Sequence, residues 1–148
     1  MPLHSENIKA FKAIAMSQTN LIAKAYCGMV SIELVLKDAT NLRDHDIPGG
    51  LNAFALKFAT NEAHKSGCKA KINSLSTQLG NALKNIYVQG IDSKPRQAPQ
   101  NCYPYIRYTR HAKDGWPAPY STDTELKVLS DVVQATRVYL LEKFSKDC

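Results

Sequence analysis

The sequence predicts an all-α protein, an up-and-down bundle of about five helices with a long loop before the last helix. Apolar residues recur every three or four positions along most of the chain, which is the period of a helix that buries one face. Only Asp92–Tyr120 lacks this period, and that stretch holds five prolines. We expect no strand of useful length. Residues 1–148 are few enough to form a single domain around one core.

The first two helices are predicted from their apolar stripes. The first begins near Ser5, a residue type that often caps helices. The second lies within Gln18–Leu42, and its middle is apolar nearly all round, which is typical of a helix at the centre of a bundle. The stripes consist of Ile8, Phe11 and Ala15, and then of Ile22, Ala25, Met29, Ile32 and Leu36.

The later helices are predicted from residues that favour helix starts and helix ends. Asp46 should cap the third helix, with Pro48 in its first turn and Ser66-Gly67 at its end. The fourth helix follows and should stop at Gly90. Thr122–Glu125 has the pattern of a capping box and should open the last helix. The buried stripes are Leu51, Phe54 and Phe58, then Ile72, Leu75, Leu79, Leu83 and Ile86, then Leu126, Leu129, Val133, Leu140 and Phe144.

Composition narrows the range of partners and compartments. The net charge of +6 favours an anionic partner such as RNA, DNA or a nucleotide. Four widely spaced cysteines offer no metal-ligand pattern, so we expect reduced thiols and neither a metal nor a cofactor. Met1–Ala15 is too polar for a signal peptide, and no apolar run approaches the ~20 residues of a membrane span. The sequence therefore predicts a cytoplasmic protein without a membrane partner.

The segment Asp92–Tyr120 carries the strongest chemical signal. Its five basic and two acidic side chains give it a charge of +3, and it holds five aromatic rings. Cations attract phosphate, and rings stack on unpaired bases with about 1–3 kcal/mol per base. The predicted nucleic-acid or nucleotide-binding residues are Arg96, Tyr105, Arg110 and Lys113. The alternative is that the rings pin the loop to the bundle while the arginines are solvated or pair with acidic residues on the surface.

Arg107 and His111 are the predicted catalytic pair. Cleaving RNA without a metal requires a base for the 2′-hydroxyl proton and a cation for the phosphorane charge, roles that histidine and arginine can fill. If Ile106–Ala112 is helical, the four-residue spacing places both side chains on one face. The alternative is a solvated surface histidine.

Two polar pairs lie outside this segment. Glu33 and Lys37 are spaced as a helical salt bridge, which at a surface contributes a few tenths of a kcal/mol. Their alternative role is contact with a partner subunit or with the basic residues of the loop. His45 is expected to pack beside the capping Asp46, and the alternative is contact with a ligand at the end of the bundle.

The order of these elements resembles the HEPN superfamily of small helical bundles. The resemblance covers Ala23 to Phe144 and rests on four short motifs. It implies a bundle that often dimerises and, in many members, a metal-independent ribonuclease with four to six residues between an arginine and a histidine. Here Arg107 and His111 have three residues between them. The motifs are Ser31–Lys37, His45–Ile47, Tyr103–Tyr108 and Tyr120–Asp123.

Two functions follow from the residues and the resemblance together. The first is an RNA- or nucleotide-binding HEPN-like protein, with a ribonuclease toxin or phage-defence component as its enzymatic form. Its expected partners are RNA or a nucleotide, a second copy of the chain and a protein such as an antitoxin. The second is a non-catalytic HEPN-like dimeric scaffold or protein-interaction module, consistent with the shorter spacing between Arg107 and His111.

Overall fold

The fold is mostly helical, as predicted. The computed structural model describes residues 5–17, 20–58, 66–90 and 92–144. Two short strands and two 3-10 helices lie between the fourth and fifth α-helices. The α-helices are α1 (Ser5–Ser17), α2 (Leu21–Thr40), α3 (Ile47–Phe58), α4 (Ser66–Lys84) and α5 (Asp123–Val138). The strands are β1 (Tyr87–Gln89) and β2 (Pro95–Gln97), and the 3-10 helices are Tyr103–Tyr108 and Ala112–Asp114.

Helix α2 is the centre of the bundle, as its apolar middle indicates. It packs against α1, α3 and α5, and α4 closes the core by packing on α3 and α5. Each fully buried aliphatic side chain in this core contributes roughly 1.5–3 kcal/mol relative to exposure. The fully buried aliphatic side chains of α2, α3 and α4 include Met29, Ile32, Leu36, Leu51, Ile72, Leu79 and Leu83.

The predicted helix starts are confirmed for α3 and α5. Asp46 Oδ1 accepts a hydrogen bond from the Gly49 N–H at 3.0 Å, which caps α3. The predicted start near Ser5 is not tested, because residues 1–4 lie outside the described ranges. Before α5, the Glu125 N–H donates to Thr122 Oγ1, and the Thr122 N–H donates to Glu125 Oε2. This reciprocal pair satisfies two N–H groups that a helix start leaves free.

Two predicted boundaries are wrong. Ser66-Gly67 lies in α4 and does not end α3; the described part of α3 stops at Phe58, and residues 59–65 lie outside the described ranges. The buried stripe of α4 extends back to Cys68, so this segment belongs to the packing of α4. Helix α4 also ends at Lys84, before Gly90, because the chain then turns into β1.

The structure departs from the expectation of no strand of useful length only by one small hairpin of three-residue strands. Strand β1 pairs antiparallel with β2, with Val88 opposite Arg96. The Ala98 N–H extends the pairing by donating to the Ile86 carbonyl at 2.7 Å. Val88 is buried, so the hairpin is anchored to the bundle on one side. Strands of three residues leave too short an alternation to be recognised in a sequence.

The cysteines do not all follow the reduced-thiol expectation. Cys68 is disulfide-bonded, whereas Cys27 and Cys102 are free thiols. Burial raises the pKa of the Cys27 thiol, which disfavours the reactive thiolate. In the part of the chain that the structure describes, no helix has the length and apolarity to cross a bilayer.

Candidate functional site

The basic and aromatic side chains of the loop form ring-stacked pairs. Arg107 lies in the last turn of the 3-10 helix Tyr103–Tyr108, and its guanidinium carbon lies 5.5 Å from the Tyr26 ring centre and 5.6 Å from that of Tyr108. Its Nε donates to the Pro104 carbonyl at 3.1 Å. Among the described residues, no carboxylate is within salt-bridge distance of it. Arg107 is therefore a positioned cation whose charge is not neutralised.

Arg110 makes the second stacked pair. Its guanidinium lies 4.4 Å from the ring centre of Trp116, a contact worth roughly 0.5–2 kcal/mol. Its Nε is buried and has no hydrogen-bond partner within the described ranges. The backbone is fixed as well, because the Arg110 N–H donates to the Tyr87 carbonyl and the Arg110 carbonyl accepts from Ser121. We call Tyr26, Arg107, Tyr108, Arg110 and Trp116 the basic-aromatic surface.

Ile106–Ala112 is not one helix, so Arg107 and His111 do not share the helical face that their spacing would give in a helix. The 3-10 helix stops at Tyr108, and Thr109 turns the chain into an extended conformation with a ψ of 132°. Thr109 pairs with Val88 of β1, and His111 pairs with Ser121. A β-branched residue favours this extended form, and the bridge to β1 provides its hydrogen-bond partners.

Both ring nitrogens of His111 are engaged. The Lys113 N–H donates to Nδ1 at 3.1 Å, and Nε2 lies 2.7 Å from Asp123 Oδ1. With a donor already at Nδ1, the proton sits on Nε2 and is donated to Asp123. His111 thus caps the 3-10 helix Ala112–Asp114 and ties it to the start of α5. No nitrogen of His111 is left to accept a proton from a substrate without breaking one of these bonds.

Lys113 is paired with a carboxylate. Its Nζ lies 3.2 Å from Asp123 Oδ2, the same carboxylate that His111 contacts. Lys113 and then His111 hold the pKa of Asp123 below its ordinary value. His111, Lys113 and Asp123 line a polar pocket of about 480 Å³ beside the start of α2.

Arg96 and Tyr105 belong to a separate pocket. They line a mostly apolar depression of about 530 Å³ between the hairpin and the 3-10 helix. The Arg96 guanidinium donates to Asp92 Oδ2 at 2.8 Å, so its charge is already partnered. The Lys94 N–H, and then Arg96, hold the pKa of Asp92 below its ordinary value. The predicted binding residues therefore do not converge in one cleft.

A polar cluster around a buried carboxylate lies behind the basic-aromatic surface. The Glu33 side chain is 7% exposed in the middle of α2, and its Oε2 accepts a hydrogen bond from the Tyr103 hydroxyl. Its Oε1 lies 2.6 Å from His45 Nδ1 and 3.3 Å from Lys37 Nζ. We call Glu33, Lys37, His45 and Tyr103 the Glu33 cluster. The salt bridge predicted between Glu33 and Lys37 exists, but its carboxylate is buried and not at the surface.

The aromatic rings connect this cluster to Arg107. The Tyr103 ring lies 5.8 Å from the His45 ring, edge to face, and 5.8 Å from the Tyr26 ring. Burial raises the pKa of the Tyr103 hydroxyl far above its ordinary value, and its bond to Glu33 raises it further. The nearby charge of Arg107 acts in the opposite direction. Tyr103 is therefore a protonated donor at physiological pH.

The sequence contained a partial signal for the Glu33 cluster. An acidic residue in the apolar middle of a central helix requires a partner, because an unpaired buried charge is strongly destabilising. Lys37 is identified by its four-residue spacing, but His45 and Tyr103 lie 12 and 70 positions away in the chain, so no local pattern identifies them. Over the described ranges, no three acidic, histidine or cysteine side chains are grouped as a metal site.

Comparisons with known proteins do not assign a function to this site. No protein-family model matches the chain, and neither a curated protein nor a solved structure does. The HEPN resemblance accordingly stays a prediction.

Proposed function

We propose that this protein is an RNA- or nucleotide-binding helical bundle, HEPN-like as its motifs predict, and that the basic-aromatic surface is where the ligand binds. The observation that carries this proposal is Arg107, a cation that no described carboxylate neutralises and that lies over the rings of Tyr26 and Tyr108. A guanidinium grips phosphate through two parallel hydrogen bonds. The Tyr108 ring is 55% exposed, which leaves it accessible to an unpaired base.

The fixed geometry of the surface supports the proposal further. Arg107 and Arg110 are both held against aromatic rings, so little conformational entropy is lost when they bind an anion. The net charge of +6 adds long-range attraction for a polyanion. Single-stranded RNA fits this combination best, because its bases are unstacked and open to the tyrosines. Arg96 and Lys113 should contribute less than Arg107, since each already has a carboxylate partner.

Substituting Arg107 tests the proposal. Arg107→Ala should weaken the binding of a short single-stranded RNA about tenfold, roughly 1.4 kcal/mol, because a charge-assisted phosphate contact is lost. The salt dependence should also become shallower, by about 0.7 in the slope of log affinity against log salt. Fluorescence anisotropy at several salt concentrations measures both quantities.

The matched control is Lys127→Ala, which removes an exposed cation on α5 that is paired with Asp131 at 3.1 Å. The affinity of this variant for RNA should stay within about twofold of the parent, since Lys127 already has a carboxylate partner and exposed charges are screened by salt. Equal losses of RNA affinity in the two variants would mean that RNA is held by general charge attraction, which would contradict a defined site.

A non-catalytic dimeric scaffold is the second candidate. It is favoured by apolar side chains that remain exposed, among them Met16 on α1 (62%) and Leu56 on α3 (63%). Isolated exposed apolar residues are common in monomers, so this observation carries less weight than Arg107. A protein that binds no RNA at low salt but sediments as a dimer would favour the scaffold over RNA binding.

A further inference from the structure

The pocket that Arg96 and Tyr105 line differs from the basic-aromatic surface because its charges cancel. Among the described residues that line it, the ionised side chains are Asp92 and Arg96, and these two are joined at 2.8 Å. Val88, which is 3% exposed, and Pro99 add apolar surface. Its volume of about 530 Å³ lies in the range of small-ligand sites, roughly 300–1,000 Å³. We call this the Tyr105 pocket, and it suits an uncharged group of ring size better than a phosphate.

The turn of the hairpin holds the ion pair of this pocket in place. The Gly90 N–H donates to the Lys94 carbonyl at 2.8 Å, and the Lys94 N–H donates to Asp92 Oδ1 at 3.2 Å. A Cβ at Gly90 would lie 2.8 Å from Arg96 Nε and 2.9 Å from Asp92 Oδ1, so glycine leaves the space that the pair occupies. This side of the pocket is therefore formed before any ligand arrives, which lowers the entropic cost of binding.

Tyr105 lies on the same face of the 3-10 helix as Tyr108. A 3-10 helix has three residues per turn and rises about 2 Å per residue, so side chains three positions apart align about 6 Å from each other. Burial follows this period, since Tyr103 and Ile106 on one face are both buried. Tyr105 and Tyr108 on another face are 44% and 55% exposed. The Tyr105 pocket thus begins about one helical turn from Tyr108, whose ring centre lies 5.6 Å from the Arg107 guanidinium.

Two glutamines give the pocket hydrogen-bonding capacity without charge. Gln89 of β1 and Gln97 of β2 line it, and both residues are exposed. A side-chain amide carries donors and an acceptor, which the edges of nucleobases can pair with. A nucleobase is an uncharged, flat ring system with such an edge, and its face stacks on tyrosine. The chemistry of the pocket therefore matches a base, whereas a phosphate is better matched by Arg107.

We propose that the Tyr105 pocket binds one base of a single-stranded RNA whose adjacent nucleotide lies at Tyr108 and Arg107 on the basic-aromatic surface. The inference rests on the proposed RNA binding and extends it to a second nucleotide with a site of its own. Tyr105 stacks on the base, while Arg96, neutralised by Asp92, forms a wall of the pocket and binds no phosphate. The site requires an unpaired strand, because a base within a duplex is stacked on its neighbours and cannot enter a pocket.

The test measures the affinity of a short single-stranded RNA by fluorescence anisotropy at several salt concentrations. Tyr105→Ala should weaken binding about tenfold, as the loss of one base–aromatic stack predicts. Tyr105→Phe keeps the ring and should bind within about twofold of the parent. The salt dependence should stay unchanged in Tyr105→Ala, because no phosphate contact is lost, whereas Arg107→Ala should make it shallower by about 0.7 in slope.

An abasic RNA of the same length, which keeps the phosphates and lacks the bases, completes the experiment. Tyr105→Ala and the parent should bind this RNA equally, while Arg107→Ala should still bind it more weakly. Parent-like affinity of Tyr105→Ala for the normal RNA, or an equal loss for the abasic RNA, would overturn the base pocket. In either case the effect of Arg107→Ala would leave the proposed function intact. A parent protein that binds neither RNA would reject the proposed function and the base pocket with it.

Discussion

Glu33→Leu should lower the free energy of unfolding by about 3–5 kcal/mol, the usual cost of removing one partner from a buried polar pair. The substitution leaves the Tyr103 hydroxyl buried without an acceptor, whereas Lys37 and His45 are exposed enough to regain water. Urea unfolding followed by circular dichroism measures the loss. Asp131→Leu is the control, because it breaks an exposed pair with Lys127 in α5 and should cost less than about 1 kcal/mol.

A double variant separates the polar contribution from packing. In the Glu33→Leu background, Tyr103→Phe should recover about 1–3 kcal/mol, because the unsatisfied hydroxyl is removed. In the parent background the same Tyr103→Phe change should be destabilising. Additive effects in the two backgrounds would mean that Glu33 and Tyr103 are not coupled, contrary to the hydrogen bond between them.

The parent protein should lose stability above pH 10, and Tyr103→Phe should remove most of that loss. The folded protein raises the pKa of Tyr103 well above its ordinary value of 10.0, through burial first and the bond to Glu33 second. Below pH 10 the hydroxyl keeps its proton in both states, so its contribution to stability is fully present. Above pH 10 only the unfolded chain releases that proton, and the free energy of unfolding falls by up to about 1.4 kcal/mol per pH unit.

The measurement is urea unfolding of the parent and of Tyr103→Phe between neutral pH and pH 11. The difference between the two curves isolates this tyrosine, because the remaining titrating groups are common to both proteins. Tyr105→Phe is the matched control, since the Tyr105 ring is 44% exposed and Tyr103 is retained. A parent and a Tyr103→Phe variant with parallel pH dependence would contradict a buried, hydrogen-bonded hydroxyl.

The helical part of the fold could be predicted because its signals are local. The three- and four-residue spacing through Met29, Ile32 and Leu36 is a property of one helix, and all three residues are buried. The caps at Asp46 and Thr122 are equally local, since each side chain bonds a backbone N–H three residues later. The hairpin was not predicted because its three-residue strands are stabilised by pairing with each other and by contact with the bundle. A short stretch of sequence contains no signal for such contacts.

The candidate site was predicted only in part, for a related physical reason. The sequence singled out Arg107 as a chemically important side chain but joined it to His111 on an assumed helix, which Thr109 interrupts by pairing with Val88. In space, the part of the basic-aromatic surface around Arg107 lies next to the Glu33 cluster. Its contacts join α2, the following loop and the 3-10 helix, and such contacts are fixed by tertiary packing alone.

The central claim is that RNA binds at the basic-aromatic surface, and an amide-resolved NMR titration of the labelled protein with single-stranded RNA tests it most directly. The account predicts that the largest chemical-shift changes occur at Tyr26, Arg107, Tyr108 and Arg110 and that α1 stays unchanged. Changes confined to α1 or to the outer face of α5, or no changes at saturating RNA, would contradict it.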